Sequence, residues 1–182
     1  MSTTTAAALS LACTGGCIAC LVYLHLAPTG YSPIRNAVSE YGVGKYAPLY
    51  STQATLMGAS ALWLAVALKQ PHKVVVLLVV FAIARITIGW FPTDRMGSRE
   101  RTGRGSVHLL LAAVAFVTLP WAAVVLTRSQ GGEPWLGRIL VVLAVLTAVS
   151  LRSQLRPWFG LVERALYAGM LAWLILVAVR LV

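Results

Sequence analysis

Six stretches of roughly 20 largely apolar residues follow one another along this chain, and nothing constrains its fold more. They cover residues 5–27, 51–69, 73–91, 107–127, 135–151 and 159–181. A run of about 20 apolar residues matches the hydrocarbon thickness of a bilayer when wound as an α-helix. Continuous apolar runs without strict alternation exclude barrel strands. Composition closes the other exits. Of the 182 residues, 59% are hydrophobic and 11% charged, against about a quarter charged in soluble domains. Such a chain cannot coat a water-facing surface, and it is too apolar for disorder. The expected fold is all-α: a polytopic transmembrane bundle of six helices in one domain spanning residues 1–182. Three of the five connections are short, which sets consecutive helices side by side. The two longer ones are residues 28–50 and 92–106.

The N-terminal five residues carry no Lys or Arg, so the basic region of a signal peptide is missing and the first segment reads as a retained helix. Cys13, Cys17 and Cys20 fall at i, i+4 and i+7 on one stripe of that helix. Thiolate ligation is disfavoured inside a bilayer, and no further Cys completes a four-thiolate site. They read as small packing residues beside Gly15 and Gly16. His25, His72 and His108 cannot meet at one depth, so no metal is expected, and no cofactor motif appears.

Charge is distributed unevenly. Call the side bearing the first, third and fifth connections the odd side. By this helix assignment it holds 14 of the 20 charged residues, including four of the five acids. Loop Lys and Arg number eight on the odd side and five on the even side. This bias predicts a cell-membrane protein with cytoplasmic odd loops and both termini outside. The net charge of +10 does not imply nucleic acid. The Arg residues are spread along membrane edges, no nucleic-acid motif is present, and basic loops are ordinary in membrane proteins.

Polar chemistry gathers at the odd level. The first loop reads Tyr31-Ser32-Pro33-Ile34-Arg35-Asn36-Ala37-Val38-Ser39-Glu40-Tyr41-Gly42 and the third opens Gly89-Trp90-Phe91-Pro92-Thr93-Asp94-Arg95. Arg85 lies about two turns inside the third helix, and Glu163 about one turn inside the sixth. A mid-helix Arg costs at least roughly 2.5–3.5 kcal/mol to insert. It should find an acid among Glu40, Asp94 and Glu163, or else snorkel to the interface. His108, at a helix start, is a candidate base oriented by Asp94 or a polar cap on the third loop. Ser39 with Asp94 and His108 supplies the residue types of a triad, without the elbow motif that would place them. Glu40 is the remaining catalytic candidate, with loop pairing as its alternative role.

Ser32-Pro33-x-Arg35, Ser39-Glu40-Tyr41-Gly42, Phe91-Pro92-Thr93-Asp94 and a helix-opening His108 together resemble the domain of unknown function 998 family of small six-helix prokaryotic membrane proteins. The resemblance spans nearly the whole chain and implies the six-helix fold but no activity. The chain is also distantly similar to the Frag1/DRAM/Sfk1 group, some members of which are linked to lipid or glycolipid handling. The segment from Met96 to Arg104, and Arg85 itself, look specific to this chain.

The residues leave three functional readings. In the first, Arg35, Arg85, Arg95, Arg99, Arg101 and Glu163 border a site for a membrane-lipid headgroup, anionic ones especially, since juxtamembrane basic residues attract anionic lipid. In the second, the polar loops only hold the bundle or dock a protein partner or a second copy of the chain. The third, a small-molecule transporter, has less support, because no matching broken helices appear and Pro120 is a single kink. Whether the chain is an enzyme is left open by its residue types.

Overall fold

The computed structural model describes residues 1–95, 98, 100–132, 134–152 and 154–182. Among them are six long helices and no strand: α1 Thr3–Leu26, α2 Ala47–Leu68, α3 His72–Ile88, α4 Gly103–Ser129, α5 Trp135–Val149 and α6 Phe159–Val179. Two short 3-10 turns, Val38–Gly42 and Arg156–Trp158, sit in the odd-side connections. Helices α1, α2, α4 and the α6 segment are each long and apolar enough to cross a membrane. Helix α5, with 15 residues, rises only about 22 Å at 1.5 Å per residue.

Each helix packs on its neighbours in sequence, and α1 closes the ring against α6. The core is the inner face of that ring, with Met57, Leu64, Leu78, Phe81, Leu119, Leu166 and Met170 fully buried. Large apolar residues such as Val76, Ile83, Val117 and Val142 point outward and stay exposed, as helices facing lipid require. Where α1 meets α2, hydroxyls replace bulk. Ser10 Oγ donates to Ser60 O at 2.9 Å, and Thr14 Oγ1 lies 2.7 Å from Ser60 Oγ. Small hydroxyl residues let helix backbones approach closely.

Several helix ends differ from the expectation, with local causes. α2 begins at Ala47 rather than residue 51, because Pro48 occupies its first turn, where a missing N–H costs nothing. α4 begins at Gly103 rather than 107, because Thr102 caps it: Thr102 Oγ1 accepts from Gly105 N at 2.9 Å. α3 stops at Ile88, so Arg85 lies in its last turn rather than two turns inside.

Candidate functional site

The odd end of the bundle is closed by the first loop folding over the start of α6. Leu161 N donates to Ile34 O at 3.0 Å, so a helix N–H with no partner inside the helix finds one in the loop. A Cβ at Gly160 would sit 2.7 Å from Pro33 O and closer still to Asn36 O. Only glycine permits that approach. Buried Glu163, one turn on, accepts from Val38 N at 2.6 Å. Glu40 turns inward and accepts from Asn36 Nδ2 at 2.8 Å and Ala37 N at 3.0 Å. Both carboxylates therefore order the loop backbone. Among the described residues Arg85 makes no hydrogen bond to Glu40, Asp94 or Glu163, the acids its depth suggested, but the Glu163 carboxylate lies within its electrostatic reach.

Arg164 is the centre of this closure, and the sequence reading missed it. Its Nη1 donates to Asn36 O at 2.7 Å and Gly160 O at 3.0 Å, and its Nη2 to Tyr41 Oη at 3.4 Å. Its Nε donates to His25 Nε2 at 2.6 Å. His25 Nδ1 is 2.6 Å from Leu21 O. A carbonyl only accepts, so Nδ1 carries the ring proton and Nε2 offers the lone pair that Arg164 uses. Every hydrogen-bond partner of Arg164 is thus neutral.

Below Arg164 a groove of about 310 Å³ opens between α1 and α6, with Leu21, Val22, Leu26, Val38 and Leu171 among its walls and His25 and Arg164 also lining it. Tyr167 forms part of the same wall.

Behind Tyr167 lies Arg85. Its residue is 1% exposed, which rules out the snorkelling alternative. Nη1 donates to Tyr167 Oη at 2.8 Å, the guanidinium carbon lies 5.1 Å from that ring's centroid, and Nη2 approaches Gln53 Oε1 at 3.5 Å. Cys17 Sγ donates to the same Gln53 oxygen at 3.6 Å, so the middle cysteine of the stripe packs as a weak donor at the α1–α2 contact.

The third loop forms a separate unit. Asp94 Oδ1 accepts from Thr102 Oγ1 at 2.8 Å, and Oδ2 from Thr102 N at 3.1 Å. The pair caps α4, a favourable place for a carboxylate. His108 Nδ1 donates to Phe91 O at 2.6 Å, and its ring stacks on Tyr50 with centroids 6.3 Å apart. Asp94 is therefore a cap and does not orient His108 through a hydrogen bond. Ser39, half-buried, makes no side-chain hydrogen bond among the described residues. No two of Ser39, Glu40, Asp94 and His108 are hydrogen-bonded to each other among the described residues, so the nucleophile–base contact that acyl or proton transfer needs is not formed. Arg35, Arg95, Arg101 and Arg104 are exposed at the rim; Arg99 lies outside the described residues. Among the described residues no group of three His, Cys, Asp or Glu is placed to hold a metal ion.

A ring of apolar helices, hydroxyl-lined helix contacts and charged groups concentrated toward one end define a multi-pass helical membrane protein. The chain belongs to the family described as protein of unknown function (DUF998), whose model matches residues 11–180. No curated protein and no solved structure matches it.

Proposed function

We propose that the chain binds the headgroup of an anionic membrane lipid at its odd end, with an acyl chain lying in the groove between α1 and α6. The observation that carries this reading is the groove's make-up: an almost wholly apolar groove of about 310 Å³ with His25 and Arg164 among its lining residues. Lipids have that same division, one charged end on a long apolar body. Arg164 hydrogen-bonds only to uncharged atoms, with the Glu163 carboxylate within its electrostatic reach, and guanidinium matches phosphate geometry. The exposed Arg35, Arg95, Arg101 and Arg104 add attraction of about 1 kcal/mol each near an anionic surface. Tyr41, stacked edge-on to His25 with centroids 5.6 Å apart, holds the headgroup end in shape. The reading is one of binding rather than turnover, since no two of Ser39, Glu40, Asp94 and His108 are hydrogen-bonded to each other among the described residues.

The test is native mass spectrometry of the purified chain with phosphatidylglycerol and phosphatidylcholine offered in equal amounts. The wild type should retain the anionic lipid preferentially, and Arg164→Gln should remove that preference. Arg101→Ala should lower total anionic retention without abolishing it. Equal retention of both lipids by wild type, or an unchanged preference in Arg164→Gln, would leave the accessory or partner-docking reading in its place.

A further inference from the structure

Both ring nitrogens of His25 are committed. Nδ1 donates to Leu21 O at 2.6 Å, and Nε2 accepts from Arg164 Nε at 2.6 Å. The second bond exists only while Nε2 keeps its lone pair. Once a proton from water settles there, Nε2 and the guanidinium Nε each carry a hydrogen and neither accepts. Two cations then face each other and the contact must open. An imidazole ordinarily takes its second proton between about pH 5 and 8. His25 lies half-buried in the last turn of α1, at the odd end rather than in the sealed core, so water reaches it. Arg164 Nη1 also donates to Asn36 O and Gly160 O, so the proton breaks the ring contact and leaves the loop bonds in place. The groups around the ring are these. From the first loop, Tyr41 lies edge-on to it at 5.6 Å, with Tyr31 edge-on to Tyr41 at 5.7 Å, and Glu40 accepts from Asn36 and Ala37. From α6 come Arg164, Tyr167 on the groove wall, and Glu163, which accepts from Val38 N and lies within electrostatic reach of Arg164. Helix α2 makes no hydrogen bond or ring contact with His25 among the described residues.

We propose that His25 is a proton-operated latch on the α1–α6 groove, closed while its Nε2 accepts from Arg164 and opened when that nitrogen is protonated, so that the site takes up an anionic headgroup together with a proton. With the latch closed, Nε2 and Nε satisfy each other, and the groove they line is almost wholly apolar. With it open, an imidazolium and a guanidinium stand side by side, each with an N–H to give. A phosphate oxygen is the acceptor both lack, and its charge relieves their repulsion. The latch rests on the lipid reading above and deepens it, because it names the condition under which the groove's polar end turns to its occupant. The effect is reciprocal: acid tightens anion binding, and a bound anion favours the proton on His25. A zwitterionic headgroup brings no net charge and gains less.

The experiment measures binding of fluorescent phosphatidylglycerol and phosphatidylcholine to the purified full chain in detergent, at about pH 8 and about pH 5.5, on either side of ordinary imidazole titration. Phosphatidylglycerol affinity should rise about fivefold or more in acid, the scale of ordinary coupling between two sites, with a smaller change for phosphatidylcholine. In His25→Gln the side-chain amide oxygen can accept from Arg164 but takes no proton, so the rise should vanish. Glu163→Gln removes the neighbouring carboxylate and should keep the rise. Preference for phosphatidylglycerol at both pH values with no rise overturns the latch and leaves the lipid reading standing. No preference at either pH overturns the lipid reading and the latch with it. An undiminished rise in His25→Gln, or its loss in Glu163→Gln, overturns the latch by assigning the proton elsewhere. Should His25→Gln fail to fold, the ring nitrogen-15 signals of His25 in labelled wild type decide at fixed pH: Nε2 should gain a proton when phosphatidylglycerol is added, and no gain overturns the latch.

Discussion

Arg85 Nη1 donates to Tyr167 Oη across 2.8 Å, so the most buried charge in the bundle is held by a phenol rather than a carboxylate. A neutral acceptor of this kind, with the ring face close by, stabilises a guanidinium by hydrogen bonding and by cation–π attraction. It also couples α3 to α6 across the ring. Tyr167→Phe keeps the ring and removes the acceptor. It should lower stability by about 2 kcal/mol, the cost of stranding a charged donor. Thermal unfolding in detergent measures this. In Tyr167→Phe/Arg85→Met the two losses should sum to less than their separate values, because the double variant has no stranded charge. Additive losses would mean that the pair is not coupled.

The second prediction concerns the loop over α6. Glu163 Oε2 accepts from Val38 N at 2.6 Å, between residues 125 positions apart. Glu163→Gln keeps an acceptor oxygen and should fold with the loop in place. Glu163→Leu leaves the Val38 amide buried without a partner and should cost about 1–3 kcal/mol. Hydrogen exchange distinguishes them: the Val38 amide should stay protected in the first variant and exchange faster in the second. Equal protection in both would show that the carboxylate does not hold the loop.

Asp94 and Thr102 make a third case. Their two hydrogen bonds close the third loop onto the first turn of α4. Asp94→Ala should cost about 1 kcal/mol, the usual value for a lost cap, and should speed exchange at Gly105 N, which Thr102 Oγ1 accepts from. Gly105→Ala should cost more, since its methyl group would collide with the Asp94 carboxylate. Asp94→Ala/Gly105→Ala should then recover part of the Gly105→Ala loss in unfolding measurements. No recovery would mean that the collision is with something else.

The helices were legible because hydropathy and length fix them almost alone, and the ends moved only where a local device intervened, as Pro48 and Thr102 do. The concentration of polar groups at the odd end was legible for the same reason: charge in an apolar chain stands out. The partnerships were not. Tyr50, Gln53 and Tyr167 are ordinary residues of apolar helices, and only the closing of the ring brings α6 against α3 through Tyr167. Arg85 looked like a residue in search of an acid because acids are its usual partners, yet Glu40 and Glu163 were committed to backbone amides of a loop whose path no local pattern gives. Arg164 and His25 carried one readable signal: both are polar residues near helix ends facing the first loop, one in the last turn of α1 and one beside Glu163. Asp94 reaches Thr102 across eight positions, beyond the three-residue spacing by which caps are recognised.

Gly160 offers the sharpest separation of the loop's structural role from a binding role. A Cβ there would meet Pro33 O at 2.7 Å and Arg164 Nη1 at 2.9 Å, besides Asn36 O. Two of those three are backbone atoms of the loop, so the loop must lift as a unit. Gly160→Ala should therefore break the Leu161 N to Ile34 O hydrogen bond and the Arg164 Nη1 bond to Asn36 O together, with a loss of about 1–3 kcal/mol as for other overpacked sites. Hydrogen exchange should rise across residues 31–42 while α2, α3 and α4 keep their protection. Because Arg164 keeps its charge in this variant, anionic-lipid preference should persist at reduced strength, unlike in Arg164→Gln. Full retention of loop protection in Gly160→Ala would show that the loop has room to absorb a methyl group, and that its contact with α6 is looser than these distances state.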